Sequence, residues 1–201
     1  MRIVTLNTWG TRGDWPARLK VFQDGFAELG ADVITLQETI LTGEVDQAAA
    51  MLGPGYHLAQ QRVRERDGQG ITTASRWPLG RVFEIDLHVT DRTHDFACAC
   101  LVTEVLAGEP IGRLWVVNHL PDAWESIRPA ERLGMYLPEN PLSVDRDWPY
   151  RGIDHVLVRC DRYGPTLTIR HCDRIVDRGP ISASDHYGLV VDLDVRPDPD
   201  W

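Results

Sequence analysis

Cysteine is scarce in this chain, with four residues at 98, 100, 160 and 172 among 201. No pair has the two-residue gap of a zinc knuckle or a thioredoxin-type motif, so neither a structural zinc site nor a dithiol redox centre is expected. Cys98 and Cys100 alternate along one expected strand and read as ordinary buried thiols. Basic residues are also in deficit. Lys and Arg number 21 against 30 Asp and Glu, for a net charge of −9 and a pI near 5.2. Duplex nucleic acid is held largely by Lys and Arg against its phosphates, so tight, sequence-blind duplex binding is disfavoured. A small phosphoester, or a nucleic acid met through a bound cation, stays open because a divalent ion inverts the local field. No stretch approaches the ~20 apolar residues of a spanning helix, and no charged segment followed by an apolar run opens the sequence. No membrane span is therefore expected, and a reducing, cytoplasmic setting follows by default. Internal repeats and low-complexity blocks are absent as well.

What is present is ordinary globular material. With 43% hydrophobic and 25% charged residues over 201 positions, the chain can bury one sizeable core. Residues 1–196 read as a single domain and 197–201 as a C-terminal tail.

The first element, from about Arg2 to Thr8, is rich in β-branched residues and ends in a Trp9-Gly10 turn, a strand running into a polar loop. Trp15, Leu19, Phe22, Phe26 and Leu29 then recur at helical spacing, with Pro16 near the start and Gly30 after the end. Ala31 to Glu38 is a second strand with buried character, completing a βαβ opening that places Glu38 at a carboxyl end, where ligand sites in such sheets collect. A weaker helix is expected from about Glu44 to Leu52. Short strands follow near 56–61, 70–76, 80–87, 96–106 and 111–118. The Pro-rich stretch from Pro121 to Tyr150 reads as mainly loop, with a short helix near 122–133. Strands resume at Ile153 to Arg159, Thr166 to Val176 and Tyr187 to Val195.

Polar residues stand at the ends of apolar strands in four places: Leu36-Gln37-Glu38, Asn118-His119-Leu120, Ile153-Asp154-His155 and Ser184-Asp185-His186. Each alone has a plain alternative. A Glu at a strand end is usually solvated, a His at a strand tip is usually a satisfied imidazole, and Asp185 or His186 would serve as a cap or surface residue. Asp154 is different, because its neighbours look buried and an unpaired buried carboxylate costs several kcal/mol, so it requires a partner.

These motifs, together with the first strand ending in Asn7 and the segment Gly70-Ile71-Thr72-Thr73-Ala74-Ser75-Arg76-Trp77-Pro78-Leu79, occur in the order of the endonuclease/exonuclease/phosphatase superfamily, which the chain resembles over nearly its whole length. The resemblance implies a two-sheet α/β sandwich of the four-layer, DNase-like kind. It implies a divalent-metal-dependent phosphoester hydrolase of nuclease or phosphatase type, acting on a phosphoester substrate, a nucleic acid included. Carried over position by position, Glu38 would ligate Mg²⁺, with Mn²⁺ as an admissible substitute, and Asp185 would lie beside the metal. Asn7 would hydrogen-bond the carboxylates or the phosphate. Asp154 would accept the His186 N–H, so that His186 can activate water. His119 would stabilise the phosphoryl oxygens or protonate the leaving oxygen.

One segment of the family pattern is missing. A Gly-Asp-Phe-Asn segment is expected between the His-Leu and Ile-Asp motifs, and only 34 residues separate His119 from Asp154. The simplest account is an internal deletion of one helix-strand unit, which takes with it an Asp and an Asn that would orient the attacking water and bind the phosphoryl group or metal, so a hydrolase of reduced activity is expected. The deletion would leave an unpaired sheet edge for the neighbouring strands to close or a second copy of the chain to cover as a homodimer. Neither Asp122 nor the Asp145 and Asp147 pair near Asn140 reads as a replacement. The alternative function is that of a non-catalytic relative, a phosphate- or protein-binding module on the same scaffold.

Overall fold

The computed structural model describes residues 1–87, 99–118, 140–142, 155–162, 164–175 and 181–196. The expected βαβ opening is present. β1 (Arg2–Asn7) and β2 (Val33–Ile40) pair in parallel from Ile3 and Val33 to Asn7 and Gln37, with α1 (Trp15–Leu29) crossing between them. The ends of α1 follow from local chemistry. The Asp14 carboxylate accepts the Ala17 N–H at the start, and Gly30, in the left-handed region at φ 57°, closes the last turn by donating to the Phe26 carbonyl.

Next come α2 (Gln47–Leu52), β3 (His57–Gln60) and β4 (Gln69–Ser75), then β5 (Leu79–Asp86), β6 (Ala99–Leu106) and β7 (Arg113–Asn118). The hairpin β8 (Cys160–Asp161) and β9 (Gly164–Pro165) precedes β10 (Leu167–Arg174) and β11 (Leu189–Val195). Among the described residues one sheet has six strands in the order β10-β11-β1-β2-β4-β3, and a second has three in the order β5-β6-β7. α2 is shorter than its apolar pattern suggests, because the Thr42 hydroxyl accepts the N–H groups of Glu44 and Val45 and holds them in a turn. Asp46 then caps the helix through the Ala49 N–H.

Strand alternation sorts side chains into two cores. Val4, Leu6, Ile34 and Leu36 face the helices and pack with Phe22, Phe26 and Met51. Ile3 and Val33 face the other way and meet Val105, Val116, Leu189 and Val191 between the sheets. Helices, six-stranded sheet and three-stranded sheet are thus stacked as layers of a mixed α/β sandwich among the described residues. On the far side of the small sheet Phe83, Ile85, Trp115 and Val117 are exposed among the described residues. No helix among the described residues is long and apolar enough to cross a membrane.

The expected strand over 153–159 is corrected in its described part. Residues 155–159 form no ladder, and pairing begins only at Cys160. Val156 and Val158 pack toward the inter-sheet core while Leu157 faces solvent, so packing satisfies the alternation that suggested a strand. Of the cysteines, Cys100 and Cys172 are buried and Cys160 is exposed. His119, Asp154, Cys98, the short helix near 122–133, the tail and most of the segment assigned to the deletion lie outside the described residues.

Candidate active site

Glu38 departs from the regular strand that its sequence suggests. β2 continues two residues beyond it to Ile40, and the β2–β4 register shifts between Leu36 and Thr39, with Glu38 at φ 56°. Regular pleating would send Glu38 to the helix side with Leu36. The bulge re-aims it, and the carboxylate Oε1 accepts the Asn7 Nδ2–H at 2.9 Å. A non-glycine residue in the left-handed region is strained, and such strain gathers where a side chain must point in one direction.

Asn7 is buried at the end of β1 and serves two loops. Its Oδ1 accepts the Trp9 N–H at 2.9 Å, which helps fix Trp9 at φ 56°. Its carbonyl accepts the Ser184 hydroxyl at 2.7 Å, and the Ser184 hydroxyl also lies 3.3 Å from Asp185 Oδ1. Asn7, Glu38 and the Ser184-Asp185-His186 loop are therefore one hydrogen-bonded neighbourhood, although 31 and then 147 positions separate Asn7 from Glu38 and Glu38 from Asp185 in the chain. Asp185 is only 8% exposed. Burial raises its pKa, the Glu38 charge pushes the same way, and His186 and the Ser184 bond oppose.

Two carboxylates that repel each other in a partly dry setting form a donor set suited to a hard divalent cation. Mg²⁺ is usually held by one or two carboxylates, with water and substrate phosphate completing the shell. Among the described residues no three His, Cys, Asp or Glu side chains converge, so no closed metal cage is present there. A hollow of about 480 Å³ opens on the helix side between α1 and β10. It reaches Ser184 and His186 but is not lined by Asn7, Glu38 or Asp185.

Several residues that build this neighbourhood escaped the motif reading. Arg18, 1% exposed, projects from α1 and donates to the carbonyls of Thr8, Gly10, Arg12 and Ala183, with its guanidinium 4.9 Å from the Trp9 ring centre. It ties the loop after Asn7 to the loop before Asp185. Its position among Trp15, Phe22 and Phe26 on the apolar stripe of α1 was a signal, since a charge there must find partners. Asn140, noted in sequence only as a neighbour of the Asp145 and Asp147 pair, is 1% exposed and donates to the Ser184 carbonyl at 2.9 Å. Arg12 donates to Glu38 Oε2 at 2.9 Å and to Gln69 Oε1 at 3.0 Å. Gln37 and Asn118, motif neighbours of Glu38 and His119, join the two sheets by a 2.9 Å bond, with Asn118 also donating to the Thr72 carbonyl. Gly188 permits the close approach of β11 to β1, because a methyl there would strike the Thr5 carbonyl and the Leu6 side chain.

Comparison with known proteins agrees with this architecture. No curated protein matches the chain. Among solved structures, TDP2 of D. rerio, complexed with a single-strand DNA product, superposes with a TM-score of 0.71 at 14% identity, covering 97% of this chain and 99% of that one. An endonuclease/exonuclease/phosphatase from Beutenbergia cavernae gives 0.64 at 15%, covering 97% and 71%. The 3' phosphatase NExo from Neisseria, bound to a product DNA hairpin, gives 0.63 at 13%, covering 96% and 99%. At such identities the likeness is one of fold. The family model described as Endonuclease/Exonuclease/phosphatase family matches residues 4–186, and by that match this chain belongs to the endonuclease/exonuclease/phosphatase family.

Proposed function

We propose that this chain is a divalent-metal-dependent phosphoester hydrolase in which Glu38 and Asp185 hold Mg²⁺ or Mn²⁺. The observation that carries the reading is the linkage of Glu38, Asn7 and the Ser184-Asp185-His186 loop, residues far apart in sequence, into one hydrogen-bonded cluster with two mutually repelling carboxylates. When bound, the cation supplies Lewis-acid stabilisation of charge developing on the phosphoryl oxygens. The Asn7 amide orients Glu38 by donating to Oε1, so that Oε2, which accepts from Arg12, is the atom that would face the cation. His186 would take the proton from the attacking water, and Asp154 and His119, which lie outside the described residues, would keep the roles that the resemblance implies, Asp154 fixing the His186 tautomer and His119 stabilising the phosphoryl oxygens. Neighbours of the same fold include one complexed with a single-strand DNA product and a 3' phosphatase bound to a product DNA hairpin, and a phosphoester substrate for this chain is consistent with them.

The test is hydrolysis of bis-p-nitrophenyl phosphate with Mg²⁺ or Mn²⁺, in wild type, Glu38→Ala and His186→Ala. Turnover that EDTA removes, and that each substitution lowers by about 10²-fold or more, is the expected outcome. A wild-type chain that neither turns over nor melts higher with either cation would overturn the reading. Cation binding without turnover would instead mark a non-catalytic phosphate-binding relative.

A further inference from the structure

The loop after Asn7 delivers a cation of the chain's own to Glu38. Asn7 takes Oε1 of that carboxylate, and the Arg12 guanidinium takes Oε2 at 2.9 Å, sharing its second amino group with the neutral Gln69 amide at 3.0 Å. Arg12 is not locked in place as Arg18 is. Its side chain is 49% exposed against 31% for Glu38, and its amide partner has no charge to hold it. Its backbone is another matter, because the Arg12 carbonyl accepts from buried Arg18, so any movement is confined to the long side chain.

A guanidinium on Oε2 and a divalent cation on Oε2 compete for the same lone pairs and repel each other. A displaced guanidinium, already half in water, would gain from a new anionic partner close by. Its planar fork matches two phosphate oxygens better than a point charge can. A phosphoryl group held at Glu38 and Asp185 would lie within reach of the side chain that now reaches Glu38.

We propose that Arg12 is an exchangeable counter-ion and positioning residue. It cedes Glu38 Oε2 to the divalent cation and moves to a phosphoryl oxygen of the substrate, so that cation and phosphate binding reinforce each other. This rests on the phosphoesterase reading and adds to it a coupling between the two ligands. Two ligands coupled through one side chain must each raise the affinity of the other by the same factor.

The experiment measures Mn²⁺ affinity by calorimetry and by electron paramagnetic resonance of free Mn²⁺, with and without inorganic phosphate, in wild type, Arg12→Ala, Arg12→Lys and Glu38→Gln. Arg12→Ala should bind Mn²⁺ more tightly than wild type when phosphate is absent, because the competitor is gone. Phosphate should tighten Mn²⁺ binding about 5-fold or more in wild type and much less in Arg12→Ala. Arg12→Lys keeps the competing charge without the fork, so it should show wild-type Mn²⁺ affinity with reduced phosphate coupling. Glu38→Gln should lose Mn²⁺ binding under all conditions. If Arg12→Ala binds Mn²⁺ no better than wild type, or phosphate enhances both equally, the exchange is overturned while the phosphoesterase reading stands. If wild type binds no Mn²⁺, both fall together.

Discussion

Asp185 is a carboxylate held where its charge is poorly tolerated. Burial is the largest influence and raises its pKa, Glu38 adds to this, and His186 and Ser184 offset part. A carboxyl group with a higher pKa in the folded than in the unfolded chain binds more protons when folded. Its contribution to stability therefore falls as pH rises from the unfolded value, about 3.9, through the folded one. Asp185→Asn removes the liability without removing the volume. In EDTA at pH 7 it should melt above wild type, with the gap narrowing on acidification and closing below about pH 4. Thermal scans by circular dichroism across pH 3.5–8 would check this. Equal melting at neutral pH, or a gap that widens in acid, would mean that Asp185 is not held against its charge. Such a cost at the position proposed to hold a cation would be the usual exchange of stability for a poised group.

At the scale of elements, α1 contributes more than its apolar face. Through Arg18 it holds the loop that follows Asn7 at the end of β1 and the loop preceding β11 that carries Asp185. Several backbone carbonyls share that one guanidinium, and each left unpaired in a buried place costs ~1–3 kcal/mol. Arg18→Leu should therefore destabilise the fold by ~3–5 kcal/mol, measured by urea denaturation. Arg18→Lys should recover only a small part, since a single ammonium cannot reach carbonyls on both loops. Full recovery by lysine would show that charge rather than geometry matters here. The helix itself was legible from the spacing of Trp15, Leu19, Phe22, Phe26 and Leu29. The function of Arg18 was not, because its partners are carbonyls of other loops, and sequence carries no record of where a carbonyl points.

For the molecule as a whole, the balance of 30 acidic to 21 basic residues sets the long-range field. Non-specific protein–DNA affinity comes almost entirely from basic residues releasing counter-ions, with Kd of about 10⁻⁴–10⁻⁶ M at physiological salt. A chain with a net charge of −9 should lie at the weak end of that range. In EDTA at ~0.15 M salt, a fluorescent 20-base-pair duplex should show no binding tighter than ~10 µM, and Mg²⁺ should strengthen binding of a single-stranded oligonucleotide. Fluorescence anisotropy would decide. A steep salt dependence in EDTA would reveal a basic track that overrides the net charge.

By itself the sequence determined the βαβ opening, most of the later strands, the family and the identity of Asn7, Glu38, Asp185 and His186 as the residues to examine. Those features are written in local periodicity and in the order of short motifs. Tertiary structure decided what periodicity cannot carry. It turned Glu38 off its expected face through a bulge, brought Ser184 onto the Asn7 carbonyl, buried Asn140 against that same serine, and placed Arg12 on Glu38. In each case the partner lies at least 26 positions away in sequence. The pairing is set by how β1, β2 and β11 lie together in one sheet, and that arrangement exists only once the chain has folded.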